Sequence, residues 1–145
     1  GSEYLALKGR LGTTVPKVVP MKAKRLYTAL SRAIGQGLVA SCHDCSDGGL
    51  GVALAESAFA GGHGLSLDLA PIGAPNMTVA LFSESQSRFV VTVKPSDAPA
   101  FESALDNCPV TRVGVVRDDD RFEIENGICA TIGELKEAWQ RPLRW

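Results

Sequence analysis

Aromatic residues are scarce in this sequence: two Trp, two Tyr and five Phe make up 6% of 145 positions. A core built from it is therefore mostly aliphatic. A surplus of charge of either sign is also missing. Fifteen Lys and Arg stand against 16 Asp and Glu, a formal net charge of −1. That balance excludes a general nucleic-acid binder, which draws its affinity from neutralising phosphates with excess Lys and Arg. No apolar run approaches the roughly 20 residues that span a bilayer. No basic start leads into an apolar stretch, so a secretory signal is not expected, nor a membrane partner, and the expected compartment is the cytoplasm. An initiator Met is lacking too. The chain opens Gly1-Ser2-Glu3-Tyr4 and closes Pro142-Leu143-Arg144-Trp145, which leads to the expectation of a piece of something longer. Histidine is limited to His43 and His63, and neither a Gly-x-Ser-x-Gly elbow nor a Gly-Lys-Ser/Thr phosphate loop occurs.

What is present is ordinary globular material. Hydrophobic residues make up 45% and charged residues 21%, and 15 glycines predict many tight turns. The length suits one domain. Residues 1–20 hold Gly9, Gly12, Pro16 and Pro20 and read as an extended lead-in; residues 21–145 read as a single domain. Met21 to Leu38 predicts a helix, with Leu26, Leu30, Ala33, Ile34 and Leu38 forming an apolar stripe. Lys22, Lys24, Arg25 and Arg32 fall largely outside it, as a solvated face. Leu50 to Ala60 predicts a second helix, apolar on most sides and therefore buried. Ser46 or Asp47 is the expected N-cap, and Gly61-Gly62 ends it.

Leu65-Ser66-Leu67-Asp68-Leu69 alternates strictly and predicts a strand with one wet face. Phe89 to Val93 is a β-branched strand. Ser96 or Asp97 is expected to cap a helix reaching about Asn107, and Val110 to Val116 and Arg121 to Glu125 read as strands separated by an Asp118-Asp119-Asp120 turn. Thr131 with Glu134 fits a capping box opening a last helix through Trp139, which Pro142 stops. The strand–helix–strand run from Phe89 to Val116 and a further hairpin predict an α/β (α+β) sandwich, a mixed sheet packed with helices, partly ferredoxin-like.

Four cysteines occur, Cys42, Cys45, Cys108 and Cys129. Cys42-x-x-Cys45 would need two more ligands to hold zinc, and Cys108 and Cys129 do not form a second close pair. A redox motif opens a helix directly, whereas the helix here starts after Asp47, and Asp44 disfavours a thiolate. The cysteines read as small, semi-buried residues.

Two stretches are not explained by hydrophobicity. In Asp44-Cys45-Ser46-Asp47-Gly48-Gly49, carboxylates, a hydroxyl and paired glycines precede a buried helix. A helix N-terminus offers free N–H groups to an anion that glycines let approach closely. The carboxylates could instead hold a hard cation such as Mg2+, and a plain helix cap needs only Ser46 or Asp47. In Ser83-Glu84-Ser85-Gln86-Ser87-Arg88, hydroxyls, an amide and a guanidinium can satisfy phosphate or sugar oxygens; the alternative is a polar edge or loop. Glu56, inside the Ala-rich helix, needs a partner, and pairing with Arg88 or capping a loop is expected rather than catalysis.

Together, His43-Asp44-Cys45-Ser46-Asp47-Gly48-Gly49-Leu50, Ala53-Leu54-Ala55-Glu56 and Leu81 to Phe89 resemble the C-terminal-type domain of phosphoribosylformylglycinamidine synthase. Gly1 to Leu5, Arg112-Val113-Gly114 and Leu135 to Trp139 fit the same pattern, so the resemblance covers essentially the whole chain. That family belongs to the aminoimidazole ribonucleotide synthase superfamily, and the resemblance implies its C-terminal-domain fold. It also implies an ATP- and Mg2+-dependent ligase of purine synthesis, which converts formylglycinamide ribonucleotide to the amidine with glutamine-derived ammonia. The implied partners are an N-type ATP-binding domain, a glutaminase domain or subunit, and a small nucleotide substrate. By resemblance Glu84, Ser85 and Gln86 lie at substrate and Asp44 at Mg2+; with Arg88, Ser46, Gly48 and Gly49 they form the candidate site. Gly-Ser-Glu-Tyr and Ser-Asp-Gly-Gly resemble the second half of the synthase, whose cleft is similar to an auxiliary nucleotide site, so a nucleotide clamp or structural role is the alternative. The catalytic His and ATP-binding Lys belong to the N-type domain. The resemblance therefore implies no catalytic residue here and no turnover by this chain alone.

Overall fold

The computed structural model describes residues 2–143, so Gly1 of the opening stretch and Arg144 and Trp145 at the close lie outside the described residues. Six helices and six strands follow in order: α1 (Glu3–Leu7), α2 (Pro20–Gly35), β1 (Ser41–Asp44), α3 (Gly49–Gly61), β2 (Gly64–Leu67), α4 (Met77–Phe82), β3 (Phe89–Thr92), α5 (Ala98–Ala104), β4 (Gly114–Arg117), β5 (Arg121–Ile124), β6 (Cys129–Thr131) and α6 (Ile132–Gln140). Strands β1 and β3 form an antiparallel pair; β4-β2-β5-β6 form a mixed sheet in which β2 runs antiparallel to β4 and parallel to β5. This is the mixed α/β class expected from the sequence.

Two apolar clusters hold these sheets. Leu30 and Ala33 of α2 and Phe101 and Leu105 pack with Phe89, Val91 and Val93 on one face of the β1–β3 pair. Leu50, Ala53, Leu54 and Ala58 of α3 pack with Leu65, Leu67, Ala80, Leu81, Phe122 and Ile124. Helix α3 touches α4, α6 and strands of both sheets, which is why it is apolar around its circumference. Alternation places Leu65 and Leu67 inward and leaves Asp68 exposed, as predicted.

Several local expectations are corrected. The lead-in is not wholly extended: Ser2 caps α1 through its side chain, and Tyr4 stacks on Phe82 at 4.8 Å. Met77 to Phe82 forms a helix whose N-cap, Asn76, accepts the Val79 N–H through its side chain. The strand expected from Val110 begins at Gly114, with one bond from the Asp68 N–H to the Val113 carbonyl before it. Helix α5 ends at Ala104 rather than Asn107; Asp97 holds the N-cap position as expected, but without a side-chain hydrogen bond. Strands β3 and β4, expected in one strand–helix–strand unit, lie in different sheets because β1 claims β3. The Asp118–Asp120 turn does not pair its flanking strands; it carries the chain across the start of β2, which lies between them. Gly64 permits that crossing. Its N–H donates to the Asp119 carbonyl at 2.6 Å, and a Cβ there would lie 2.8 Å from the same oxygen. The Thr131–Glu134 capping box is present as predicted.

Candidate functional site

The register of the β1–β3 pair builds the site. Asp44 at the end of β1 lies opposite Phe89 at the start of β3, so the loop leaving one strand and the loop entering the other run side by side. The Cys45 N–H donates to the Arg88 carbonyl at 2.9 Å and extends that pairing by one step. The two polar stretches, far apart in sequence, thus become the two walls of one cleft of about 450 Å3. Asp44, Ser46 and Asp47 line one side, Glu84, Gln86, Ser87 and Arg88 the other, and Pro16, Tyr27 and Phe89 complete it. The volume suits a small ligand.

The glycine pair serves packing. Gly48, not Ser46 or Asp47, is the N-cap of α3, in left-handed conformation and without a side-chain cap on its own helix end. Gly49 is also left-handed, and a Cβ on it would stand 2.7 Å from the Ser83 carbonyl oxygen and 2.8 Å from that of Leu81. Only glycine lets the two loops close to this distance. The missing cap comes from across the cleft: Glu84 Oε1 accepts the Gly48 N–H at 2.9 Å and the Glu3 N–H at 2.8 Å. Glu84 therefore fastens α1, the glycine turn and its own loop together. Arg88 Nη1 donates to the Ser83 carbonyl at 2.9 Å, bracing the same loop while its guanidinium lines the cleft.

The sequence-predicted residues separate accordingly. Asp44, Ser46, Glu84, Gln86 and Arg88 meet in the cleft; Ser85 does not line it and shares a 2.9 Å hydroxyl contact with Ser83. Gly48 and Gly49 lie buried behind it. Glu56 is not paired with Arg88, as the sequence suggested. One of its oxygens meets His43 Nε2 at 2.8 Å and the other accepts the Trp139 indole N–H at 3.0 Å. Sequence reasoning missed Pro16, Tyr27 and Phe89, and it did not single out Cys45, Asp47 and Ser87 from within the two polar stretches. Tyr27 had a signal: it is an aromatic residue of α2 standing outside the apolar stripe.

Burial pushes the thiols of Cys42 and Cys45 above the ordinary value, and the nearby Asp44 carboxylate adds to this, with Arg88 partly opposing it at Cys45. Neither is a ready thiolate. Among the described residues no group of three His, Cys, Asp or Glu side chains converges as a complete metal site. Asp44 and Asp47 line the cleft and could supply oxygen ligands to a hard cation, the donor chemistry Mg2+ prefers.

Residues 1–127 match the family described as AIR synthase related protein, C-terminal domain. The chain belongs to this family. Among curated relatives, phosphoribosylformylglycinamidine synthase subunit PurL of Anaeromyxobacter sp. (strain Fw109-5) is 36% identical over 151 residues, covering 97% of this chain and 20% of the relative. The same-named subunit of Synechococcus sp. (strain JA-2-3B'a(2-13)) is 46% identical over 107 residues, 73% of this chain and 14% of the relative. The chain thus spans a fifth or less of the length of these relatives. T. maritima PurL complexed with ATP superposes with a TM-score of 0.67 at 25% identity, over 77% of this chain and 21% of that one. Phosphoribosylformylglycinamidine synthase II from Thermotoga maritima reaches 0.72 at 24% identity, over 83% and 22%, a likeness of fold. This AIR-synthase-type C-terminal domain contains no helix, among the described residues, that is long and apolar enough to cross a membrane.

Proposed function

We propose that the chain is the C-terminal-type domain of a phosphoribosylformylglycinamidine synthase and that its cleft binds nucleotide in that ligase. The observation that carries this reading is the convergence of the Asp44–Gly49 and Glu84–Arg88 loops on one cleft. The full enzyme would convert formylglycinamide ribonucleotide to the amidine with ATP, Mg2+ and glutamine-derived ammonia in the cytoplasm. Its partners would be an N-type ATP-binding domain and a glutaminase domain or subunit, with no nucleic acid and no membrane. Consistent with this, a relative has been solved with ATP, another structure is of T. maritima PurL complexed with ADP, and a further one is of PurLQS from Thermotoga maritima.

Within the cleft Arg88, Ser46 and Gln86 would bind phosphate or sugar oxygens, and Asp44 would hold Mg2+, which lowers the repulsion between the acidic wall and an anionic ligand. The catalytic His and ATP-binding Lys of the family would belong to the N-type domain, so the domain alone would not turn over. Glu84 favours a partly structural role, because one of its carboxylate oxygens already accepts two backbone N–H groups. The test is equilibrium binding of ADP with Mg2+ to the full enzyme containing this domain, comparing wild type with Asp44→Asn and Arg88→Met. The expected result is a loss of one ADP site or at least about tenfold in its affinity, equivalent to about 1.4 kcal/mol. Unchanged stoichiometry and affinity in both variants would overturn the reading.

A further inference from the structure

We propose that Tyr27 is a specificity-determining wall of the cleft, selecting a ligand that joins a flat unsaturated ring to an anionic tail. The inference rests on the nucleotide reading of the cleft and adds the residue that reads the ring. Tyr27 stands on α2, outside both polar loops, and is 47% exposed although it lines the cleft. Its ring is held at two points. The phenolic oxygen is 2.8 Å from Ser87 Oγ, and the ring meets Phe89 edge to face, with centroids 5.8 Å apart and planes at 87°.

Ser87 makes its contact from a left-handed backbone, φ 62°, a conformation a non-glycine residue adopts at a cost. The hydroxyl contact to Tyr27 helps offset that strain. An exposed aromatic ring would ordinarily sample several rotamers; these two contacts restrict that choice, which lowers the entropy lost when a ring stacks on it. The lining is also divided by chemistry. Pro16, Tyr27 and Phe89 supply an apolar, flat portion, whereas Asp44, Ser46, Gln86 and Arg88 supply hydrogen-bonding groups and charge. A ligand that is only a sugar phosphate satisfies the polar portion and leaves the ring unused. One that also carries a heteroaromatic base uses both.

The test is calorimetric titration of the protein with AMP and, separately, with ribose 5-phosphate, each in Mg2+. Wild type is expected to bind AMP about tenfold or more tighter than ribose 5-phosphate. Tyr27→Leu should remove that preference while leaving the ribose 5-phosphate affinity within about twofold. Ser87→Ala, which frees the ring without removing it, should lose several-fold for AMP alone. Circular dichroism checks that each variant is folded. Equal AMP affinity in wild type and Tyr27→Leu, or equal weakening of both probes, overturns this proposal and leaves the cleft reading standing. Binding of neither probe by the wild type overturns the nucleotide reading and this proposal with it.

Discussion

The Glu84 carboxylate lies 2.9 Å from the amide nitrogen of Gly48, 36 residues earlier in the chain. The same oxygen accepts the Glu3 N–H, so a single side chain supplies the N-terminal cap of α3 and anchors α1. Leaving a partly buried amide without an acceptor costs about 1–3 kcal/mol. Glu84→Ala is therefore expected to destabilise the protein by about that amount in urea unfolding, and Glu84→Gln, which keeps a carbonyl acceptor, by less. A Glu84→Ala variant as stable as wild type would remove the structural role argued for this residue.

Gly49 and Gly62 form a matched pair that separates backbone strain from steric collision. Both are left-handed, at φ 69° and 72°, but a Cβ at Gly62 meets nothing within 4 Å, whereas at Gly49 it collides with two carbonyl oxygens. Gly62→Ala is expected to cost about 1–2 kcal/mol from conformation alone. Gly49→Ala carries the same strain and must also push the Ser83 loop away, so its midpoint of thermal unfolding should fall clearly further. Equal losses would mean that the loop yields freely.

The elements that the sequence revealed were those with an uninterrupted local signal. The β-branched run of β3, the apolar α3 and the capping box at Thr131 each carry their own pattern. Long-range choices were not legible. Nothing in Phe89 to Thr92 says that it pairs with β1 rather than with β4, and that choice builds the cleft. The two polar loops stood out because their composition serves neither a core nor a simple turn. Ser85 fell away and Tyr27 entered only when distances decided it. Cap assignment failed at Ser46 and Asp47 for a similar reason: the acceptor for Gly48 comes from a loop remote in sequence.

Asp119 is held below the ordinary carboxylate range, first by its hydrogen bonds from the Arg117 side chain and then by the Arg121 N–H and the charges of both arginines. Its folded-state value is thus lower than its unfolded one. The stabilisation is present above the unfolded value of about 3.9 and is lost as pH falls through the lower folded value. The stability difference between wild type and Asp119→Asn should accordingly be constant near neutral pH and shrink below about pH 4. Because the pair is solvent-exposed, added salt should also reduce it. A difference that persists unchanged into strong acid would assign the effect to the crossing over Gly64 instead of to charge.

Glu56 joins three elements, and its worth can be measured apart from the cleft. Its carboxylate takes His43 of β1 at 2.8 Å and the indole N–H of Trp139 in α6 at 3.0 Å, while Phe59 packs against the same indole at 5.5 Å between centroids. Trp139 is 49% exposed, so Trp139→Phe removes the donor with little loss of buried area. Hydrogen bonds to a charged acceptor contribute about 1.5–3 kcal/mol when shielded and less when exposed to water. The expected cost of Trp139→Phe is about 1 kcal/mol by that reasoning, with a larger cost for Glu56→Leu, which strands both partners. In a double-mutant cycle, Trp139→Phe should cost almost nothing once Glu56 is Leu. Additive losses would show that the indole stabilises α6 by packing on Phe59 alone.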